Sequence, residues 1–255
     1  MTGGYPAPLP PVNHTAPVPR RIRAVLNGHL VVDTTSALYV WEWSHFPHYI
    51  PVDNIDPAVL VDEQHEQRLS RGTARRFGLQ VGDVARPAAL RVYGNDAKVD
   101  GLSGRARFEW DSVDASFEED EQVLVHARDP YVCVDALRAT RTVRVELDGI
   151  TLAESNSPVV VFKTGLPTRF YLNRTDVEFT HPVATDTVTA CPYKGVTSGY
   201  WGAVVGDTSY ADIAWTYDVP TRQLLPIAGL IAFYEEKVDT YLHGRLLDRP
   251  ATRSS

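Results

Sequence analysis

Residues 20–42, RRIRAVLNGHLVVDTTSALYVWE, lie over residues 141–163, RTVRVELDGITLAESNSPVVVFK, without a gap and at a constant offset of 121. Whatever the first segment folds into, the second folds into as well. Both alternate apolar and polar residues up to a two-residue turn, Asn27-Gly28 or Asp148-Gly149. Such pairs accept the positive φ angles of a type I′ hairpin. A returning strand then reaches Asp33-Thr34 or Glu154-Ser155, and another strand follows at 37–41 or 158–162. The same offset carries His48-Tyr49-Ile50 onto Arg169-Phe170-Tyr171. The pattern is that of a duplication, and it predicts two related, mainly β domains built from antiparallel sheets.

The boundaries follow from the ends of the repeats. CVDAL (133–137) resembles KVDTY (237–241), but at an offset of 104. The difference implies an insertion in the first repeat. Residues 56–83 supply it, with Asp56 as a helix N-cap, Pro57 at the first helical position and few β-branched residues after Val61. This predicts a helical insertion at 56–83 within a first β domain at 20–137, and a second β domain at 138–247. Residues 1–19 carry six prolines and read as a flexible arm, and 248–255 as a flexible tail.

Composition narrows the chemistry. With 255 residues, 44% apolar and 22% charged, the chain is an ordinary globular one. Its formal charge of −7 offers no general attraction to nucleic acid or anionic lipid, so neither is expected as a partner. The acidic run Glu118–Glu119–Asp120–Glu121 reads as a solvated loop. Cys133 and Cys191 are too few for a disulfide framework or a thiolate zinc site, so both are expected unbridged and no metal is expected. No stretch is long and apolar enough to span a bilayer and the start lacks an apolar leader, which predicts a cytoplasmic protein. No phosphate loop, His-Glu-x-x-His or Gly-x-Ser-x-Gly motif occurs, and no cofactor is expected.

Two loops of the second repeat concentrate chemistry. In CPYKG (191–195), proline and glycine hold a bend from which Tyr193 and Lys194 project. A thiol beside a cation is a more reactive nucleophile, which makes Cys191 and Lys194 candidate catalytic residues. Tyr200 and Trp201 follow, and in DIAWTYD (212–218) alternation places Ile213, Trp215 and Tyr217 on one face. Trp201, Trp215 and Tyr217 are expected to form one wall, with Lys194 at its rim. In FKTGLPTRFYLNRTDV (162–177), Thr164 lies on a bend followed by Arg169 and Tyr171, and an arginine there suits a carboxylate or phosphate. Asp176 and Glu178 are further acids at a strand end, and His181 is the only histidine near these loops. Each residue also has an ordinary reading: a buried core thiol, a solvated turn lysine, packed core aromatics, a surface arginine ion pair. In the first repeat, GDVARPAALRVYG (82–94) stands where CPYKG would, without cysteine or lysine.

The strings VRVELDGITLAES, TGLPTRFYLNRTDV, CPYKG, YW, AWTY and PIAGLIAFYEEKVD resemble, in order, a bacterial family catalogued as domain of unknown function 427. The resemblance covers nearly all of 141–247; the first repeat matches only in its opening hairpin and its end. It implies a compact, tent-like arrangement of antiparallel sheets, often duplicated, with a candidate pocket. The family has been labelled a nucleotidyltransferase, but the Gly-Ser loop and Asp-x-Asp pair such enzymes commonly use are absent here. Three functions remain open on this reading: a small-ligand binding domain, an enzyme using Cys191 or Lys194, or a structural or interaction protein, in each case with a homo-oligomer left open. The binding reading predicts a pocket for an anionic, aromatic small molecule lined by Thr164, Arg169, Tyr171, Tyr193, Lys194, Tyr200, Trp201, Trp215 and Tyr217.

Overall fold

The structure is a computed structural model that describes residues 10–42, 47–178 and 182–250. Two compact units emerge from its contacts, one covering 10–129 and one beginning at Pro130. The first contains β1 (Thr15–Pro17), β2 (Ile22–Leu26), β3 (His29–Thr34), β4 (Leu38–Val40), β5 (His48–Pro51) and β6 (Leu60–Leu69). It continues with β7 (Gly72–Val81), β8 (Val84–Tyr93), β9 (Arg105–Phe108), β10 (Ala115–Glu118) and β11 (Glu121–Val123). The second holds β12 (Val134–Arg138), β13 (Val143–Leu147), β14 (Ile150–Ser155), β15 (Val159–Lys163), β16 (Arg169–Leu172) and β17 (Pro182–Thr185). There follow β18 (Ala190–Cys191), β19 (Gly195–Val196), β20 (Gly199–Val205), β21 (Thr208–Thr216), β22 (Ile231–Phe233), β23 (Asp239–Leu242) and β24 (Arg245–Leu246).

The two units repeat one topology. A seven-stranded sheet runs β1-β4-β5-β9-β8-β7-β6 in the first and β12-β15-β16-β22-β21-β20-β17 in the second. A four-stranded sheet runs β11-β10-β2-β3 and, in the reverse direction of reading, β14-β13-β23-β24. The described additions to the second are the small hairpin β18–β19 and the 3-10 turn Arg222–Ile227. Asn27-Gly28 and Asp148-Gly149 have φ of 49°, 73° and 49°, 79°, as a type I′ turn demands. Even the irregularity repeats: β2–β3 shifts register between Ala24 and Val25, β13–β14 between Val145 and Glu146.

Period-two alternation decides what each sheet buries. In the second unit Val143, Val145 and Leu147 from the smaller sheet meet Val160, Phe170 and Leu172 from the larger one in a single core. The alternate residues Val159, Val161 and Tyr171 face the other way, joining Trp215, Tyr217, and Leu224 and Ile227 of the 3-10 turn in a separate buried cluster. The seven-stranded sheet is therefore apolar on both faces, and the candidate site lies on the second of them.

Several expectations are corrected. Residues 56–83 are not a helical insertion. Asp56 does cap a turn, accepting from the Ala58 amide at 2.9 Å, but only the 3-10 turn Pro57–Val59 forms before the chain enters the β6–β7 hairpin. Cross-strand ion pairs, Arg75 with Asp62 and Arg76 with Glu63, favour that pairing over helical propensity. The CVDAL–KVDTY match is not a repeat equivalence: CVDAL enters β12, the counterpart of β1, whereas KVDTY enters β23, the counterpart of β10. β12 pairs with β15, which draws the start of the second unit back from 138. Part of the proline-rich arm is strand, since Thr15–Pro17 pairs with β4 at a sheet edge where proline is tolerated; the rest of the arm up to residue 9 lies outside the described residues. In the tail, Arg249 pairs with Asp239 at 2.9 Å, and 251–255 lie outside. The acidic run is a tight β10–β11 turn in which Glu118 is buried. No helix among the described residues is long and apolar enough to cross a membrane.

Gly202 shows how closely β20 and β21 approach at a register shift. A Cβ there would lie 2.4 Å from the Tyr210 carbonyl oxygen. Gly202→Ala is expected to destabilise the second unit by about 1–3 kcal/mol, the cost of overpacking. A lowered urea midpoint would bear this out, and an unchanged one would count against so tight a crossing.

Candidate functional site

On the outer face of the second unit's larger sheet lies a cavity of about 190 Å³. Its floor and walls are set by strand parity. β15 turns Val159, Val161 and Lys163 to this face, so its last residue carries an ammonium into the cavity. Tyr200 of β20 is paired with Trp215 of β21, and their rings stack at 6.4 Å with 30° between planes. Tyr234 closes on Trp215 at 4.3 Å, and Tyr171 meets it edge-on at 6.3 Å. The Tyr200 hydroxyl is tied to Tyr234 at 3.1 Å and to Thr189 at 2.9 Å, which holds the rings in place.

The CPYKG turn folds over this platform as the β18–β19 hairpin. Gly195 has φ 101°, and Thr221 fastens the turn by donating its amide to the Lys194 carbonyl (3.0 Å) and its hydroxyl to the Tyr193 carbonyl (2.6 Å). Lys194 is thereby aimed inward. Its Nζ donates to the Tyr171 hydroxyl at 3.3 Å and lies 5.8 Å from the ring centroids of both Tyr171 and Trp215, within cation–π range. Lys163 Nζ sits 4.2 Å over the Tyr193 ring. Burial lowers the pKa of both lysines against the opposing influence of Cys191, and a nearby cation lowers each further: Lys194 acts on Lys163, and Arg169 on Lys194. Cys191 lines the same cavity as a half-buried free thiol, while Cys133 is an exposed free thiol.

Arg169 lines the cavity but does not offer its fork to a ligand. Nη1 and Nη2 donate to Glu236 at 2.7 and 2.5 Å, and Nη1 also meets Glu235. Burial alone would lower the Arg169 pKa, but the two carboxylates outweigh it and hold the guanidinium charged. The expectation of a free anion clamp is therefore corrected: this arginine is spent on its own protein.

Of the residues expected in a pocket, Arg169, Cys191, Lys194, Tyr200, Trp215 and Tyr217 line the cavity; Tyr171 does not line it but is tied to it through the bond from Lys194. Tyr193 packs under Lys163 at the edge. Trp201 is on the opposite face, packed at the inter-sheet core with the Arg174 guanidinium 5.3 Å from its ring, because neighbouring strand residues cannot share a side. Ile213 also leaves the face of Trp215 for that core, at the register shift opposite Gly202. Thr164 bonds the Cys133 amide at 3.1 Å beside a separate, more open depression. Asp176 accepts from Ser155 at 2.6 Å as a local structural cap. His181 lies outside the described residues. Lys163, Tyr234 and Glu235 were missed; parity from Val159 and Val161 was signal enough for Lys163. The hairpin's counterpart in the first unit is not 82–94, which forms β8, but the short β6–β7 turn.

Among the described residues, no group of three or more His, Cys, Asp or Glu is placed to hold a metal ion. What the geometry defines is a tandem of one two-sheet antiparallel domain, with an aromatic, lysine-bearing cavity in the second copy. The profile of the domain of unknown function DUF427, labelled NTP_transf_9, matches residues 14–119 and again 135–244, and the chain belongs to this family as a two-domain member. No curated protein matches it.

Proposed function

We propose that the second domain binds a small organic anion, with Lys163 and Lys194 facing its charge and Trp215 and Tyr217 flanking a flat apolar part. The observation that carries this reading is that both ammoniums reach one cavity and neither forms an ion pair with a carboxylate among the described residues. Buried charge without a counter-charge is costly, and a ligand anion would relieve it. The cavity is smaller than the roughly 300–1,000 Å³ of drug-sized sites, so the ligand is small or only partly enclosed.

Lys194→Met is expected to weaken binding of a small anion by about 1.5–3 kcal/mol, the scale of a charge-assisted hydrogen bond. Because burial lowers both lysine pKa values below the ordinary 10.5, affinity should decline with rising pH before that value is reached. The unliganded domain should do the reverse. Its lysines bind fewer protons than the unfolded chain between the depressed pKa and 10.5, so its stability rises with pH across that window. Titrations of small carboxylates and phosphates followed by Trp215 fluorescence test both statements. No response from any small anion at neutral pH would sink the reading.

A second reading is favoured by Cys191, which lines the same cavity within electrostatic reach of both lysines. In an enzyme of transferase type its thiol would be the nucleophile and Lys194 the acid, base or anion clamp. Cys191→Ser would then abolish turnover while leaving anion binding intact.

A further inference from the structure

The first unit carries the same sheet face with an anion of its own already in place. Leu38 pairs with Tyr49, and Val159, 121 residues after Leu38, pairs with Tyr171. Strand pairing therefore makes the two tyrosines counterparts at an offset of 122, and corrects the ungapped reading that laid Tyr49 over Phe170. Both are fully buried. Tyr49 donates its hydroxyl to Glu42 Oε1 at 2.7 Å. The Glu42 carboxylate also receives Arg107 at 3.2–3.3 Å and lies 3.5 Å from Arg71, which sits in the connection between β6 and β7. The cluster joins a hydroxyl, a carboxylate and two guanidiniums, and Arg107 reaches on to Glu109 at 2.7 Å.

In the second unit the tyrosine remains and the carboxylate is gone. The Tyr171 hydroxyl accepts from Lys194 Nζ and from Trp215 Nε1, both at 3.3 Å. A phenol has one proton to donate, and that proton has no acceptor among the described residues. The residue at the offset of Glu42 is Lys163. Lys194 comes from the connection between β17 and β20, the counterpart of the one that supplies Arg71. The duplication has thus kept the buried donor and the connection's cation, replaced the internal anion by a lysine, and left Ala232 where Arg107 stands in the first unit.

We infer that the anionic group taken by the second domain is a carboxylate, seated as Glu42 is in the first: accepting the Tyr171 O–H and flanked by Lys163 and Lys194. This rests on the anion-binding reading above and narrows it to small monocarboxylic acids with a flat substituent. Phosphate fits the donor set less well. Its oxygens call for several converging donors, such as a guanidinium fork or a nest of amides, and the Arg169 fork is already bonded to Glu235 and Glu236.

The test uses the full chain with acetate, benzoate, benzamide and inorganic phosphate, followed by calorimetry and Trp215 fluorescence at pH 7. Benzoate is expected to bind at least tenfold more tightly than neutral benzamide or phosphate, and Tyr171→Phe to remove about tenfold of the benzoate affinity. Lys163→Glu places a carboxylate where Glu42 stands, beside Tyr171 and Lys194 but with Ala232 in the position of Arg107, and it is expected to abolish benzoate binding. Phosphate binding as tightly as benzoate would overturn the carboxylate assignment and leave the anion site standing. Failure of every anion to bind would overturn both. Benzoate affinity unchanged in Tyr171→Phe would overturn the proposed seat.

Discussion

Arg169→Met is expected to destabilise the second domain by about 3–5 kcal/mol at neutral pH, the cost of removing one partner from a buried ion pair. The guanidinium is the shared counter-charge of two carboxylates, and Glu235 is buried beside the Phe170 amide. It also lies 5.9 Å from the Trp215 ring and 5.8 Å from that of Tyr234, so its loss loosens the cavity wall as well. Methionine fills the volume but leaves both carboxylates uncompensated. Burial already raises the Glu235 pKa with Arg169 present. Without the arginine the carboxyl takes up a proton more readily, so the deficit of the variant should shrink as pH falls toward the carboxylate range. Segment-resolved hydrogen exchange over β16 and β22, compared at pH 7 and pH 5, gives the measurement. An unchanged opening free energy at neutral pH would mean that the pair is replaceable by water.

Acidification is expected to destabilise the first domain through His48, by up to about 4–5 kcal/mol at roughly 1.4 kcal/mol per pH unit. His48 is packed against Tyr39 at 5.2 Å, and burial, with help from the nearby Arg20 charge, pushes its pKa down to about 3. Glu118 Oε1 lies 3.8 Å from Nε2, an approach too long for a hydrogen bond, and Glu118 is engaged by Arg20 and by the Arg128 amide. The imidazole therefore stays neutral in the fold. Since its folded pKa is below the unfolded 6.5, the unfolded chain binds more protons between the two values. The stability is whole above pH 6.5 and is lost as pH falls from there to about 3. Other carboxylates titrate in the same window, so the useful quantity is the difference from His48→Gln. That variant should flatten the pH dependence of first-domain unfolding between pH 6 and 4. Equal slopes in both proteins would show that His48 carries no such burden.

Local signals were the legible ones. The Asn27-Gly28 and Asp148-Gly149 turns, the strands around them and the duplication itself depend on residues next to one another, whose dihedral preferences and alternation survive in any context. The same alternation, applied consistently, places Lys163 in the cavity and keeps Trp201 out of it, since Tyr200 and Trp201 are adjacent. CPYKG was recognisable as a turn that presents Lys194, because proline and glycine act on the backbone they belong to.

Pairing between distant strands was not legible. Residues 60–81 have a composition compatible with helix, and only the pairing of β6 with β7 and of β7 with β8 settles the matter. Arg169 looks like a free anion clamp until β22 is placed beside β16 and brings up Glu235 from 66 positions away. By itself the sequence determined the Asn27-Gly28 and Asp148-Gly149 hairpins, the two copies of one β domain, and which residues face inward where alternation is unbroken by a register shift. The tertiary structure decided which charges are neutralised and which are left for something else, because the worth of a charge depends on what folding brings within a few ångströms of it.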